Sequence, residues 1–109
     1  PMAQEFRRFT SNAVGTSPAT IFTADSYDTV VGIHIANTTV NMVLATVVIN
    51  DGSNDITLIN AAPIAAGGAL QVLDGGAKFV VESGDILKIT SDTAASLDCW
   101  VSVVDAISA

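Results

Sequence analysis

The chain has 109 residues, half of them hydrophobic and 14% charged, with four basic against eleven acidic residues and a net charge of −7. That length holds one domain with one core. The charge balance argues against direct nucleic-acid binding, since displacing counterions from phosphates needs a basic stripe and only Arg7-Arg8 is even a pair; the single cysteine, Cys99, excludes an internal disulfide.

So oily a small domain must leave apolar side chains outside, and such exposure marks an interaction surface. Association with copies of itself is the expected outlet. No basic, apolar leader pattern opens the chain, and no stretch keeps a helical period. One domain spans 1–109, with 1–5 as a flexible lead-in. Residues 5–14 combine Phe6, Phe9 and Val14 with Arg7 and Arg8, and read as an edge strand or as an arm lying on a neighbour. Gly15-Thr16-Ser17-Pro18 is a turn, 19–24 a short strand carrying Ile21 and Phe22, and 25–28 a polar loop.

Residues 29–50 organise the rest. No charge interrupts them, and their length approaches the roughly 20 apolar residues of a membrane span. Val, Ile and Thr dominate, however, and branching at the β-carbon suits a pleated strand better than a helix. The stretch reads as two strands folded on each other about Asn37-Thr38-Thr39. Val31, Ile33 and Ile35 alternate against Gly32, His34 and Ala36 in the first. In the second, Val43, Ala45, Val47 and Ile49 oppose Met42, Leu44, Thr46 and Val48. A strand with one wet face alternates cleanly; this second strand is apolar on both, so it expects two covers, its own core and a neighbouring subunit. Leu44 and Val48 are placed on the subunit side and Val43 and Val47 in the core. The reverse stays open, because burial on both sides hides the register.

Asp51-Gly52 tolerates the positive φ of a tight hairpin and should return the chain antiparallel through 56–58. Residues 60–68 read as a small-residue connection holding Pro63. Strands at 69–73, 78–82, 86–90 and 97–105 follow, turned by Asp74-Gly75-Gly76, Ser83-Gly84-Asp85 and 91–95. The last sets Leu97, Cys99, Val101 and Val103 against Asp98, Trp100, Ser102 and Val104. About eight short strands separated by Gly, Pro, Asn and Asp turns imply an all-β, single-domain antiparallel β-sandwich, with a jelly roll among its topologies.

Chemistry-bearing residues are sparse. His34 is the only histidine, flanked by isoleucines, and reads as a packing or subunit-contact residue; a small hydrolase built on it is the weakest alternative, with no nucleophile-elbow sequence in support. Cys99 has no basic neighbour to activate it and reads as a small hydrophobe. Zinc would want several Cys or His. Asp51, Ser53 and Asp55 alternate as oxygen donors, but Ile56 and Ala62 stand where a helix–loop–helix calcium loop needs Gly and Glu, and the plain reading is a solvated turn. Gly67-Gly68 and Gly75-Gly76 precede no helix, so they read as turns rather than phosphate cradles. Asn37-Thr38-Thr39 fits a glycosylation acceptor, though a strand turn is its commoner meaning. No catalytic, cofactor or metal residue is assigned. Met42, Leu44, Val48, Trp100 and His34 are the candidate subunit-interface residues. Trp100 and Tyr27 with the acidic loops support the alternative of a carbohydrate-binding or adhesive module.

The order of segments carries a likeness. RRFTSNAVGTSPATIFTA opens it; a β run ending in IANTT, the segment APIAAGGALQVL, KFVVESGDILKITS and the closing SLDCWVSVVDAI follow. Over residues 6–107 this resembles the small all-β virion structural proteins of tailed bacteriophages, including marine phages that infect cyanobacteria. The resemblance implies a non-enzymatic building block of the virion, at the capsid surface as decoration, at the neck or on a tail appendage. It also implies a symmetric homo-oligomer, a trimer favoured, docking on other virion proteins without contacting nucleic acid or membrane.

Overall fold

The computed structural model describes residues 3–25, 28–72 and 79–107, with side chains described over 7–25, 28–72 and 79–104. Ser26, Tyr27, Leu73, the Asp74-Gly75-Gly76 turn and Lys78 lie outside the described residues. Among those described, every regular element is a strand. In chain order they are β1 (Ala3–Val14), β2 (Ala19–Thr23), β3 (Asp28–Asn37), β4 (Val43–Asn50), β5 (Asp55–Ile64), β6 (Ala69–Gln71), β7 (Phe79–Val81), β8 (Ile86–Ser91) and β9 (Leu97–Ile107).

Two antiparallel sheets form. One has the order β1-β9-β3-β6, with β7 also on β3; the other runs β2-β8-β4-β5. Since β6 and β7 share one place beside β3, nine segments fill eight positions, four to a sheet. Only β4–β5 and β6–β7 stay within a sheet; every other connection crosses between them. This is a jelly roll, one of the ways a sandwich distributes and shortens its edges.

The inward faces follow the alternation in the sequence. Ile33, Ile35, Val43, Ala45, Val47, Ile89, Leu97 and Val101 are all fully buried, and they interdigitate between sheets stacked about 10 Å apart. Phe9 of β1 stacks on Phe22 of β2, centroids 4.7 Å apart, closing one side of the sandwich.

The structure corrects four expectations. First, β3 and β4 do not pair: each belongs to a different sheet, and they face each other across the core. Asn37-Thr38-Thr39 therefore starts a crossing connection rather than a hairpin. Second, a bulge between Val30 and Gly32 shifts the parity of β3, so that Val30 is the buried residue and Val31 is only half-buried. Third, the small-residue connection at 60–68 is strand as far as Ile64. Proline is tolerated there because β5 is an edge strand, with no further strand for its missing N–H to serve. The register slips where Ala61 takes φ 51°, and its N–H donates to Thr46 Oγ1 at 3.0 Å. Fourth, β1 begins at Ala3 rather than at residue 5, because β9 is long enough to pair Ala3 with Ile107. The expected Asp51-Gly52 hairpin joins β4 to β5, pairing Asn50 with Asp55. Gly52 and Gly84 adopt φ +99° and +93° in their turns, a region that other residues enter only with strain.

Candidate functional site

The jelly roll sorts the connections into two ends. One gathers the loops β1–β2, β3–β4, β5–β6 and β8–β9. The buried Asn37 holds it together: its Nδ2 donates to the carbonyls of Asn41 (2.7 Å), Ile64 (3.0 Å) and Ala65 (3.2 Å). Its Oδ1 accepts from Thr39 N–H and from Thr39 Oγ1. At 2% exposure and with its amide spent on three carbonyls, Asn37 is a structural knot at the start of the crossing connection rather than an open glycosylation acceptor. Ser96 adds a second tie, its N–H donating to Val14 O and its carbonyl accepting from Thr38 N–H. Around these knots the loops present Val40, 89% exposed, Met42, 61% exposed, and exposed Ala65, Ala66, Ala94 and Ala95, with Asp92 as the lone charge. The opposite end is acidic, with Asp25, Asp51, Glu82 and Asp85 in its turns.

The five interface candidates fall in three places. Met42 lies on the apolar end. Leu44 and Val48 lie half-buried on the outer face of the β2-β8-β4-β5 sheet, opposite Pro63 and between Thr57 and Lys88 respectively. Val40 and Met42 stand exposed at the tip, and Leu44, Thr46 and Val48 alternate outward from it along β4. Trp100 and His34 lie on the outer face of the other sheet, in register with each other. The structure thus separates them from the first three. Sequence reasoning missed Val40, whose place beside Met42 in a polar-looking turn hides how far it projects.

The row across this second face runs Thr10, Trp100, His34, Gln71 over β1, β9, β3 and β6. Gln71 Nε2 and His34 Nδ1 are hydrogen-bonded at 2.9 Å. That is the only hydrogen bond of the imidazole to a described residue. Among the described residues no carboxylate orients it and it holds no hydroxyl, so no Ser-His-Asp coupling is made there. Arg8 lies over the Trp100 ring, its Cζ 5.1 Å from the centroid, a contact the sequence reading did not contain.

The remaining candidates resolve individually. Cys99 faces the core at 4% exposure; burial, with the Asp98 charge adding to it, pushes its thiol up to about 12, so no nucleophilic thiolate forms near neutrality. Asp51 turns its carboxylate onto the N–H groups of Asn54 (2.8 Å) and Ser53 (3.0 Å), which holds its carboxyl below the usual range. Asp55 instead accepts from Asn50 Nδ2 at 2.8 Å and meets Lys88 Nζ at 3.6 Å. One oxygen of each carboxylate, Oδ1, is thus engaged with local partners. Among the described residues no three His, Cys, Asp or Glu side chains converge as metal ligands.

No protein-family model and no curated protein sequence matches the chain. Its fold is similar to that of a solved subunit of Bacillus endospore appendages, a family of disulfide-linked pili, with a TM-score of 0.57 and 19% sequence identity over 98% of this chain and 89% of the other.

Proposed function

We propose that the protein is a non-enzymatic structural subunit that self-assembles through Val40, Met42, Leu44 and Val48, and that it serves as a building block of a phage particle. The observation that carries this reading is the exposure of large apolar side chains at one end, Val40 at 89% and Met42 at 61%, the end from which β4 starts with half-buried Leu44 on its outer face. A soluble chain gains by covering such side chains, at about 25 cal/mol per Å² of apolar surface removed from water. The jelly-roll likeness to a pilus subunit supports assembly, and the segment order shared with virion proteins supports the particle. The pili it resembles are disulfide-linked; here Cys99 is buried in the core, so it makes no disulfide between folded copies.

Light scattering after size exclusion, over micromolar concentrations, tests the reading. We expect a discrete oligomer, a trimer favoured, that Leu44→Asp or Val48→Asp splits into folded monomers. A monomer at every concentration, or an oligomer indifferent to both substitutions, would overturn it. Closed rings in electron micrographs would agree with a virion component, whereas open filaments would replace it with an appendage polymer.

A further inference from the structure

The face that self-assembly leaves unused carries a site of its own. Trp100 is 49% exposed at the centre of the Thr10–Trp100–His34–Gln71 row. Arg8 stacks on its ring at 5.1 Å. No guanidinium N–H of Arg8 has a hydrogen-bond partner among the described residues. Among the described residues no carboxylate lies within ion-pair distance of Arg8. In a chain of net charge −7, a fixed, unneutralised guanidinium fork is a place for an external anion, and a carboxylate matches it with two parallel hydrogen bonds.

The surroundings narrow the anion further. Gly32, in register with Ser102 and next to His34 in β3, leaves an opening in the face: a side chain there would meet only Ser102, at 3.8 Å or beyond. The indole beside it offers a flat, electron-rich surface suited to polarised C–H bonds. The His34 imidazole, the Gln71 carboxamide and the hydroxyls of Ser102 and Thr10 supply dispersed hydrogen-bonding groups. A flat ring edged with hydroxyls and bearing one carboxylate meets all of these at once. We infer that this face binds a carboxylate-bearing saccharide: Arg8 takes the carboxylate, Trp100 takes a C–H face of the sugar ring, and the polar row meets its hydroxyls. The site is independent of self-assembly, since it lies on the other sheet.

Trp100 is the only tryptophan, so its emission reports on the site directly. The experiment titrates the protein with a uronic-acid oligosaccharide and with a neutral oligosaccharide of equal length, at fixed ionic strength. Saturable quenching or a spectral shift is expected, with the acidic ligand favoured about tenfold or more. Arg8→Gln should remove that preference while sparing binding of the neutral sugar. Trp100→Ala, followed by calorimetry, should weaken both ligands by about tenfold or more, with an unchanged far-ultraviolet circular dichroism spectrum. No saturable response to either sugar, equal affinity for the two, or an acidic preference that survives Arg8→Gln would overturn the inference. So would an emission change that follows protein concentration alone, since a second copy would then be what covers this face.

Discussion

Asn37 shows how one side chain can hold an end of a sandwich together. It stands at the last position of β3, where the chain leaves one sheet for the other, and three carbonyls from two different loops converge on its amide. Removing the donor takes a partner from each, although the Asn41 and Ala65 carbonyls keep Thr39 Oγ1 and the Gly68 N–H; an unpaired buried polar group costs about 1–3 kcal/mol. Asn37→Ala should therefore lower stability by about 1–3 kcal/mol, read as a drop in the urea midpoint at unchanged slope. Asn37→Asp keeps the shape but turns an acceptor toward acceptors. At neutral pH it should cost at least as much, and part of the loss should return as the pH falls and the carboxyl regains a proton to donate. Equal stability of Asn37→Asp and the parent at pH 7 would show that shape rather than hydrogen bonding matters there. None of this was legible beforehand. The triplet announces a turn, but which carbonyls a buried amide reaches depends on loops 27 and more residues away. The Arg8–Trp100 stack escaped for the same reason, since only the β1–β9 ladder brings the two together.

Strand β4 carries the contrast between what alternation reveals and what it hides. Its two rows were visible in the sequence, and the assignment of Val43 and Val47 to the core is the one the structure shows. Its partner was not visible, because an apolar period of two looks the same whether a strand pairs with its predecessor or faces it across a core. The length of β5 was hidden too: a proline usually ends a strand, and only an edge position excuses Pro63. Neighbouring residues of β4 should accordingly respond in opposite ways to one substitution. Val47→Asp buries an unpaired charge at a fully enclosed position and should cost about 4 kcal/mol or more, much of the stability of a domain this size. Val48→Asp stands on the outer face directly across from Lys88 and should change monomer stability by less than about 1 kcal/mol. Thermal melts followed by circular dichroism distinguish the two, and similar losses at both sites would mean that the inward and outward rows are misassigned.

Taken whole, the molecule is 49 × 28 × 21 Å and is knitted from pairs distant in sequence: β1 with β9, β2 with β8, β3 with β9. β9 sits between the first and third strands, so those two lack their shared neighbour until this ninth strand joins them. Folds dominated by such non-local pairing are slow, because loop closure must precede the contacts that reward it. Stopped-flow refolding should accordingly take milliseconds to seconds rather than microseconds. Removing residues 1–14 should abolish the cooperative melt, since it strips β9 of one neighbour and Phe22 of its stacking partner; a truncated chain that still melts cooperatively would refute this. The two-sheet class and most turns were readable from composition and spacing, whereas strand order, a property of the closed loops, was not.

The pairing of Ala3 with Ile107 has a practical side. Any polypeptide grafted ahead of the one or behind the other departs from the acidic end of the sandwich, on adjacent strands. A passenger attached at either terminus would hang clear of the Val40–Met42 tip, and two passengers would emerge side by side.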